Sequence, residues 1–172
     1  MDKTKTQIIA VSGLKNSGKT GLIEAIIPLL AKNGIKTAVI KHHGHRFGEE
    51  IPDKPGTDTY RFLANGASGT VIYDDELMMC VRRTPAKLPE LIALFPDADL
   101  VIIEGAKSDN YPRIAMLRSG HALTSDPVTL LCAVTDPDFD ATLLPAGLPR
   151  FDYGDFESVA KFIEEKLFCN NC

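Results

Sequence analysis

Eight consecutive residues near the start of the chain, Gly13-Leu14-Lys15-Asn16-Ser17-Gly18-Lys19-Thr20, restrict its possible folds more than any other feature. They fit G-x-x-x-x-G-K-[ST], a glycine-rich turn whose backbone N–H groups converge on a phosphate. Glycine enters left-handed backbone conformations without a Cβ penalty, so such a turn can wrap closely around an anion. In this reading Lys19 reaches the outer phosphates and the Thr20 hydroxyl holds Mg²⁺. The turn should leave a buried strand and enter a helix, whose N-terminus then adds its positive end to the site. Gln7-Ile8-Ile9-Ala10-Val11-Ser12 supplies the short β-branched run. Leu22, Ile23, Ala25, Ile26, Leu29 and Leu30 then recur at helical spacing up to Asn33-Gly34, a helix stop. The competing reading is an ordinary strand–turn–helix that binds nothing.

Downstream, apolar runs of strand length alternate with helical patterns, which predicts an α/β fold of the P-loop NTPase type: a mostly parallel sheet with helices on both faces. Strands are expected at Lys36–Lys41, Gly69–Tyr73, Leu77–Val81 (antiparallel), Leu100–Ile103, Arg113–Leu117 and Thr129–Val134, and helices at Asp58–Ala64, Leu88–Phe95 and Phe156–Phe168. The length of 172 residues suits a single P-loop nucleotide-binding domain spanning residues 1–172. Nineteen basic against twenty-three acidic side chains leave a net charge of −4, which argues against bulk nucleic-acid or anionic-membrane binding. No apolar run has the length of a membrane span, so a cytoplasmic protein is expected. Cys80 and Cys132 lie in apolar runs and read as small core residues. Cys169 and Cys172 form a terminal C-x-x-C, a spacing that can ligate half a zinc site or act as a redox dithiol; without a second pair it reads as a frayed reduced tail.

Phosphate binding alone does no chemistry without a metal partner. Asp99-Leu100-Val101-Ile102-Ile103-Glu104-Gly105 is a buried strand ending in an acid, which would emerge at the sheet's C-terminal edge, where open α/β sheets bind ligands. Glu104 is therefore the candidate Mg²⁺-side acid and, with Lys19, the candidate catalytic pair; the alternative is a turn cap. Lys41-His42-His43-Gly44-His45 follows a strand at the same edge. Its imidazoles suit an anionic substrate, a transition metal or plain solvent. Asp58, in Gly56-Thr57-Asp58-Thr59, is either a second Mg²⁺-side acid or a helix N-cap. Asp136, after a late strand, is the candidate for accepting from a guanine edge, in a chain that lacks an N-K-x-D motif.

Three blocks together resemble the molybdopterin-guanine dinucleotide biosynthesis adaptor family, MobB: Gly13–Thr20; Lys41–Ala67 with K-H-H-G-H-R-F and G-T-D-T-Y-R-F; and Asp99–Lys107, D-L-V-I-I-E-G-A-K. Ala133-Val134-Thr135-Asp136 is similar as well. The resemblance implies a GTP-binding protein that assists a molybdenum cofactor nucleotidyltransferase in attaching GMP to molybdopterin, acts as a homodimer, and is at most a slow Mg²⁺-dependent GTPase. It implies phosphate contacts from Gly13, Lys15, Asn16, Ser17, Gly18, Lys19, Thr20 and Gly21. It implies Mg²⁺ contacts from Thr20, Asp58 and Glu104, and pterin or pyrophosphate contacts from His42, His45, Arg61 and Lys107. The sequence departs from the family at Gly21, where a second Thr is frequent, at Ala106, where a bulky aromatic is common, and in its Cys169/Cys172 tail. Two other readings compete: a GTP-dependent metallochaperone of the nickel-insertion type, and an ATP-dependent ligase resembling dethiobiotin synthetase. No arginine finger or water-positioning glutamine stands out near the loop, which points to slow hydrolysis.

Overall fold

The computed structural model describes residues 5–43, 53–105, 110–120, 123 and 126–169. Its strands are β1 (Gln7–Gly13), β2 (Thr37–Lys41), β3 (Gly69–Tyr73), β4 (Met78–Arg82), β5 (Leu100–Glu104), β6 (Arg113–Leu117), β7 (Leu130–Thr135) and β8 (Arg150–Asp152). The helices are α1 (Lys19–Lys32), α2 (Asp58–Ala64), α3 (Leu88–Ile92) and α4 (Phe156–Leu167). The chain divides into two compact units, Met1–His42 with Leu91–Cys172, and His43–Glu90.

In the first unit six strands form one sheet in the order β2-β5-β1-β6-β7-β8, and every neighbouring pair is parallel. Runs such as Leu100-Val101-Ile102-Ile103 do not alternate apolar with polar, because parallel strands are covered on both sides; every residue of β5 and of β6 is buried. Along β1, Ile9 and Val11 join the larger core with Ile102, Ile114, Met116 and Val134, facing Leu22, Ile26 and Leu30 of α1 and Val159 and Ile163 of α4. On the opposite face Ala115, Leu117 and Ala133 pack with Phe139, Leu144 and Leu148. Strand β1 lies between β5 and β6. The chain leaves it toward the β2 side and crosses later to β6, so strand order reverses at its C-terminal end, the usual ligand crevice of such sheets.

In the second unit β3 pairs antiparallel with β4 as a two-stranded ribbon, and α2 packs against β3. Thr57 caps α2 by accepting from the Tyr60 amide at 3.2 Å. The expected limits of α2, β3 and β6 match those observed, and the expected antiparallel partner of β3 is present. Strand β8 was not expected, and α3 is shorter than its apolar pattern suggested. Cys132 is buried as expected; Cys80 is exposed, contrary to expectation, because β4 pairs only with β3 among the described strands and lies outside the large sheet.

Candidate functional site

The turn between β1 and α1 has the backbone its glycines predict. Gly13 sits at φ +153°, Asn16 at +63° and Gly18 at +94°; Asn is among the few residues other than Gly that tolerate the left-handed region. A Cβ at Gly13 would lie 2.5 Å from the Met116 carbonyl oxygen, and one at Gly18 would lie 2.7 Å from both the Arg118 guanidinium and the Tyr153 ring. Neither position has room for a side chain. Gly18 is also the N-cap of α1 and offers no side-chain acceptor, and no acid stands in the first helical turn. By contrast, α2 and α4 are capped by Thr57 and Asp155 and carry Asp58 and Glu157 in their first turns. The orphan amides and positive end of α1 are thus left for an anion. Lys19 Nζ donates to the Gly13 and Leu14 carbonyls at 3.1 and 2.7 Å, closing the turn on itself. Ser17 Oγ, inside the turn, is buried with no hydrogen-bond partner among the described residues.

Beside the turn stands a second group of polar side chains. In the parallel register Glu104 is opposite both Val11 of β1 and Lys41 of β2. Its carboxylate accepts from the Thr20 hydroxyl at 3.0 Å and pairs with Lys41 Nζ at 3.2 Å. Lys41 Nζ also donates to Thr20 Oγ1 at 3.3 Å. The Glu104 side chain is only 9% exposed, whereas that of Lys41 is 56% exposed. Two hard oxygens converging at the mouth of a phosphate-type turn fit Mg²⁺, which takes one or two protein oxygens and fills its shell from water and phosphate.

On the other flank, Arg118 Nε donates to the Ser17 carbonyl at 3.1 Å, and its guanidinium lies 3.9 Å from the centre of the Tyr153 ring. Tyr153 is held edge-on by Phe156, with ring centres 5.7 Å apart, and its N–H donates to the Thr135 carbonyl at 2.6 Å. A Cβ at Gly21 would come within 3.2 Å of the Tyr153 hydroxyl, so the tyrosine occupies space that a larger residue 21 would need. Asp136 follows β7, and both of its carboxylate oxygens accept from the Ser119 amide, at 3.1 and 3.0 Å.

The family model described as molybdopterin guanine dinucleotide synthesis protein B, MobB, matches residues 8–136. The chain belongs to the MobB family. It is 32% identical over 150 residues to the probable molybdopterin-guanine dinucleotide biosynthesis adapter protein of Bacillus subtilis, with 86% of each chain covered. It is 29% identical over 175 residues to the Escherichia coli adapter protein, with 95% and 94% covered. The crystal structure of Bacillus subtilis MobB superimposes with a TM-score of 0.74 at 28% identity, covering 94% of this chain and 98% of that one.

Within the first unit the structure brings Gly13, Lys15, Asn16, Ser17, Gly18, Lys19, Thr20, Gly21 and Glu104 to one edge of the sheet. His42 is exposed directly after β2, its N–H donating to the Glu104 carbonyl at 2.9 Å. Asp136 lies at the C-terminal end of β7. Asp58 and Arg61 belong to the second unit, where they form an exposed ion pair at 3.5 Å. The cap of α2 is Thr57, so the N-cap reading of Asp58 is corrected. Expectations for His45, Ala106, Lys107 and Cys172 fall outside the described residues. Among the described residues no group of three or more His, Cys, Asp or Glu is placed to share a metal ion, and no helix is long and apolar enough to cross a membrane. Sequence reasoning overlooked Arg118 and Tyr153, and it saw Lys41 only as part of a histidine-rich block. An arginine does stand beside the loop, although it grips the loop's own backbone.

Proposed function

We propose that this protein is a GTP-binding accessory factor in the formation of molybdopterin guanine dinucleotide, presenting nucleotide or cofactor to a partner nucleotidyltransferase. The observation that carries the reading is the Gly13–Thr20 turn feeding the uncapped N-terminus of α1 beside the Thr20–Glu104 pair. The adapter-protein names of the Bacillus subtilis and Escherichia coli relatives support the pathway. In this reading residues 1–172 work as one P-loop nucleotide-binding domain in the cytoplasm.

Loop amides and the start of α1 bind the phosphates, with Lys15, Asn16, Ser17 and Gly21 lining the cradle. Lys19 exchanges the Gly13 and Leu14 carbonyls for the outer phosphates. Thr20 and Glu104 would hold Mg²⁺, which neutralises phosphate charge when bound. Asp136 accepts from the guanine edge, and its fixed carboxylate suits that task. His42, exposed directly after β2, would meet the anionic pterin or pyrophosphate. Hydrolysis is slow, well below about one turnover per second, near unstimulated GTPase rates. The chain's only glutamine, Gln7, starts β1 at the end remote from the loop, and Arg118 is committed to Ser17 and Tyr153.

A homodimer is favoured by the β3–β4 ribbon, which exposes Val71, Ile72, Tyr73, Leu77, Met78 and Met79. A two-stranded ribbon is marginal by itself, and pairing with a second copy about a two-fold axis would cover its apolar surface.

Calorimetric titration with GTP and ATP, each with and without Mg²⁺, tests the reading. GTP preference that requires Mg²⁺ is expected, Lys19→Ala should abolish binding without unfolding the chain, and Asp136→Ala should erase the base preference. ATP preference overturns the assignment in favour of a ligase-type reaction, and sedimentation as a single 18.7 kDa chain removes the dimer.

A further inference from the structure

The Lys41 ammonium touches both side chains that would receive a divalent cation. It lies 3.2 Å from Glu104 Oε2 and 3.3 Å from Thr20 Oγ1, and those two side chains are themselves joined at 3.0 Å. The contact is set by register, because β2 and β5 end together with Lys41 opposite Glu104. A carboxylate as buried as Glu104 is costly without a partner, so a resident cation stabilises this edge of the sheet. Mg²⁺ bonds oxygen at 2.0–2.1 Å, so an ion shared by Thr20 Oγ1 and the Glu104 carboxylate would stand against the ammonium, and like-charge repulsion favours its departure. Lys41 has somewhere to go: its side chain is more than half exposed, and its flexible stem begins at the sheet edge where the phosphate turn opens.

We propose that Lys41 is an exchangeable counter-cation of the Thr20–Glu104 pair, displaced by the divalent ion and passed to the terminal phosphate of the nucleotide. This rests on the nucleotide reading above. The exchange makes metal binding conditional on the phosphate anion: the ion alone must evict Lys41 into water, whereas the ion arriving with a triphosphate gives the ammonium a new partner. Linkage requires the reverse as well, so the metal strengthens nucleotide binding by the same factor that nucleotide strengthens metal binding.

The test uses Mn²⁺ as the probe, followed by the loss of its free electron-paramagnetic-resonance signal, with the full-length protein first without and then with GTP. Lys41→Met and Lys41→Gln should bind Mn²⁺ alone about tenfold more tightly than wild type, the lower end of what a charge-assisted hydrogen bond to a partly exposed partner supports. The enhancement of Mn²⁺ affinity by GTP should shrink by the same factor. Circular dichroism establishes that both variants are folded, and the two substitutions guard against a defect peculiar to one of them. Unchanged Mn²⁺ affinity in both folded variants overturns the proposal whatever nucleotide does. If the variants gain Mn²⁺ affinity while wild type binds neither GTP nor ATP, the competition between Lys41 and the ion is upheld and the nucleotide reading fails separately.

Discussion

Replacing Gly18 with Ala should destabilise the protein by about 2–5 kcal/mol, and the cost divides into two parts that can be measured apart. The first is conformational. At φ +94° an L-residue pays a local penalty of about 1–2 kcal/mol. The second is steric. The new methyl would lie 2.7 Å from the Tyr153 ring and from the Arg118 guanidinium, well inside the ~3.5–4.0 Å optimum for carbon contacts. Overpacking of this kind costs about 1–3 kcal/mol. The guanidinium can swing aside only by surrendering its 3.1 Å bond to Ser17 and its stacking on Tyr153. Gly34 provides an internal control: its φ is +79° and nothing lies within 4 Å of the added Cβ, so Gly34→Ala should show the conformational part alone, about 1 kcal/mol. Urea unfolding followed by circular dichroism is the suitable assay, since the chain contains no tryptophan to report by fluorescence. In a Tyr153→Ala background the cost of Gly18→Ala should fall by about 1–2 kcal/mol toward that of Gly34→Ala, a coupling expected for residues in contact, with the Arg118 contact remaining. Equal costs for Gly18→Ala in both backgrounds would refute the claim that Tyr153 enforces glycine at this position.

Burial pushes the Cys132 thiol up to about 12, so little thiolate forms at pH 8. Dithionitrobenzoate should therefore label exposed Cys80 and Cys169 in the native protein and reach Cys132 only after unfolding; fast native labelling of Cys132 would contradict its place in the sheet. The Asp53 carboxylate accepts hydrogen bonds from the Thr59 hydroxyl, the Lys54 amide and the Thr57 hydroxyl, and the Thr59 bond leads in holding its pKa below the ordinary 3.8. A depressed folded pKa means that its contribution is complete above the ordinary carboxylate value and is lost as pH falls through the folded one. NMR amide shifts at the start of α2 should thus move only at acid pH, and Asp53→Asn should abolish that titration; a transition near neutrality would exclude Asp53 as its source.

Features written in contiguous residues are legible in the amino-acid sequence itself. The β1 run, the Gly13–Thr20 turn and the acid ending β5 each draw their meaning from neighbours along the chain, and all three stand as expected. Strand β8 is not legible in this way because Arg150-Phe151-Asp152 offers a single apolar residue, too little to carry a period; it pairs as a strand because β7 presents an open edge. Tyr153 gains its place through β8, and its contact with Gly18 is intelligible only once a missing side chain on α1 is matched with a ring beyond β8. Cys80 exposes a different limit. Leu77-Met78-Met79-Cys80-Val81 reads as a core strand, yet Leu77, Met78 and Met79 are exposed on the ribbon. Apolar composition records that a surface favours leaving water without recording which surface it meets, and for this ribbon a second copy of the chain is the partner proposed above. Lys41 illustrates the converse case. It and Glu104 are both visible as strand-end residues, but their pairing depends on β5 lying between β1 and β2. Strand order turns two separate end residues into one ion pair, at the same edge of the sheet as the Gly13–Thr20 turn.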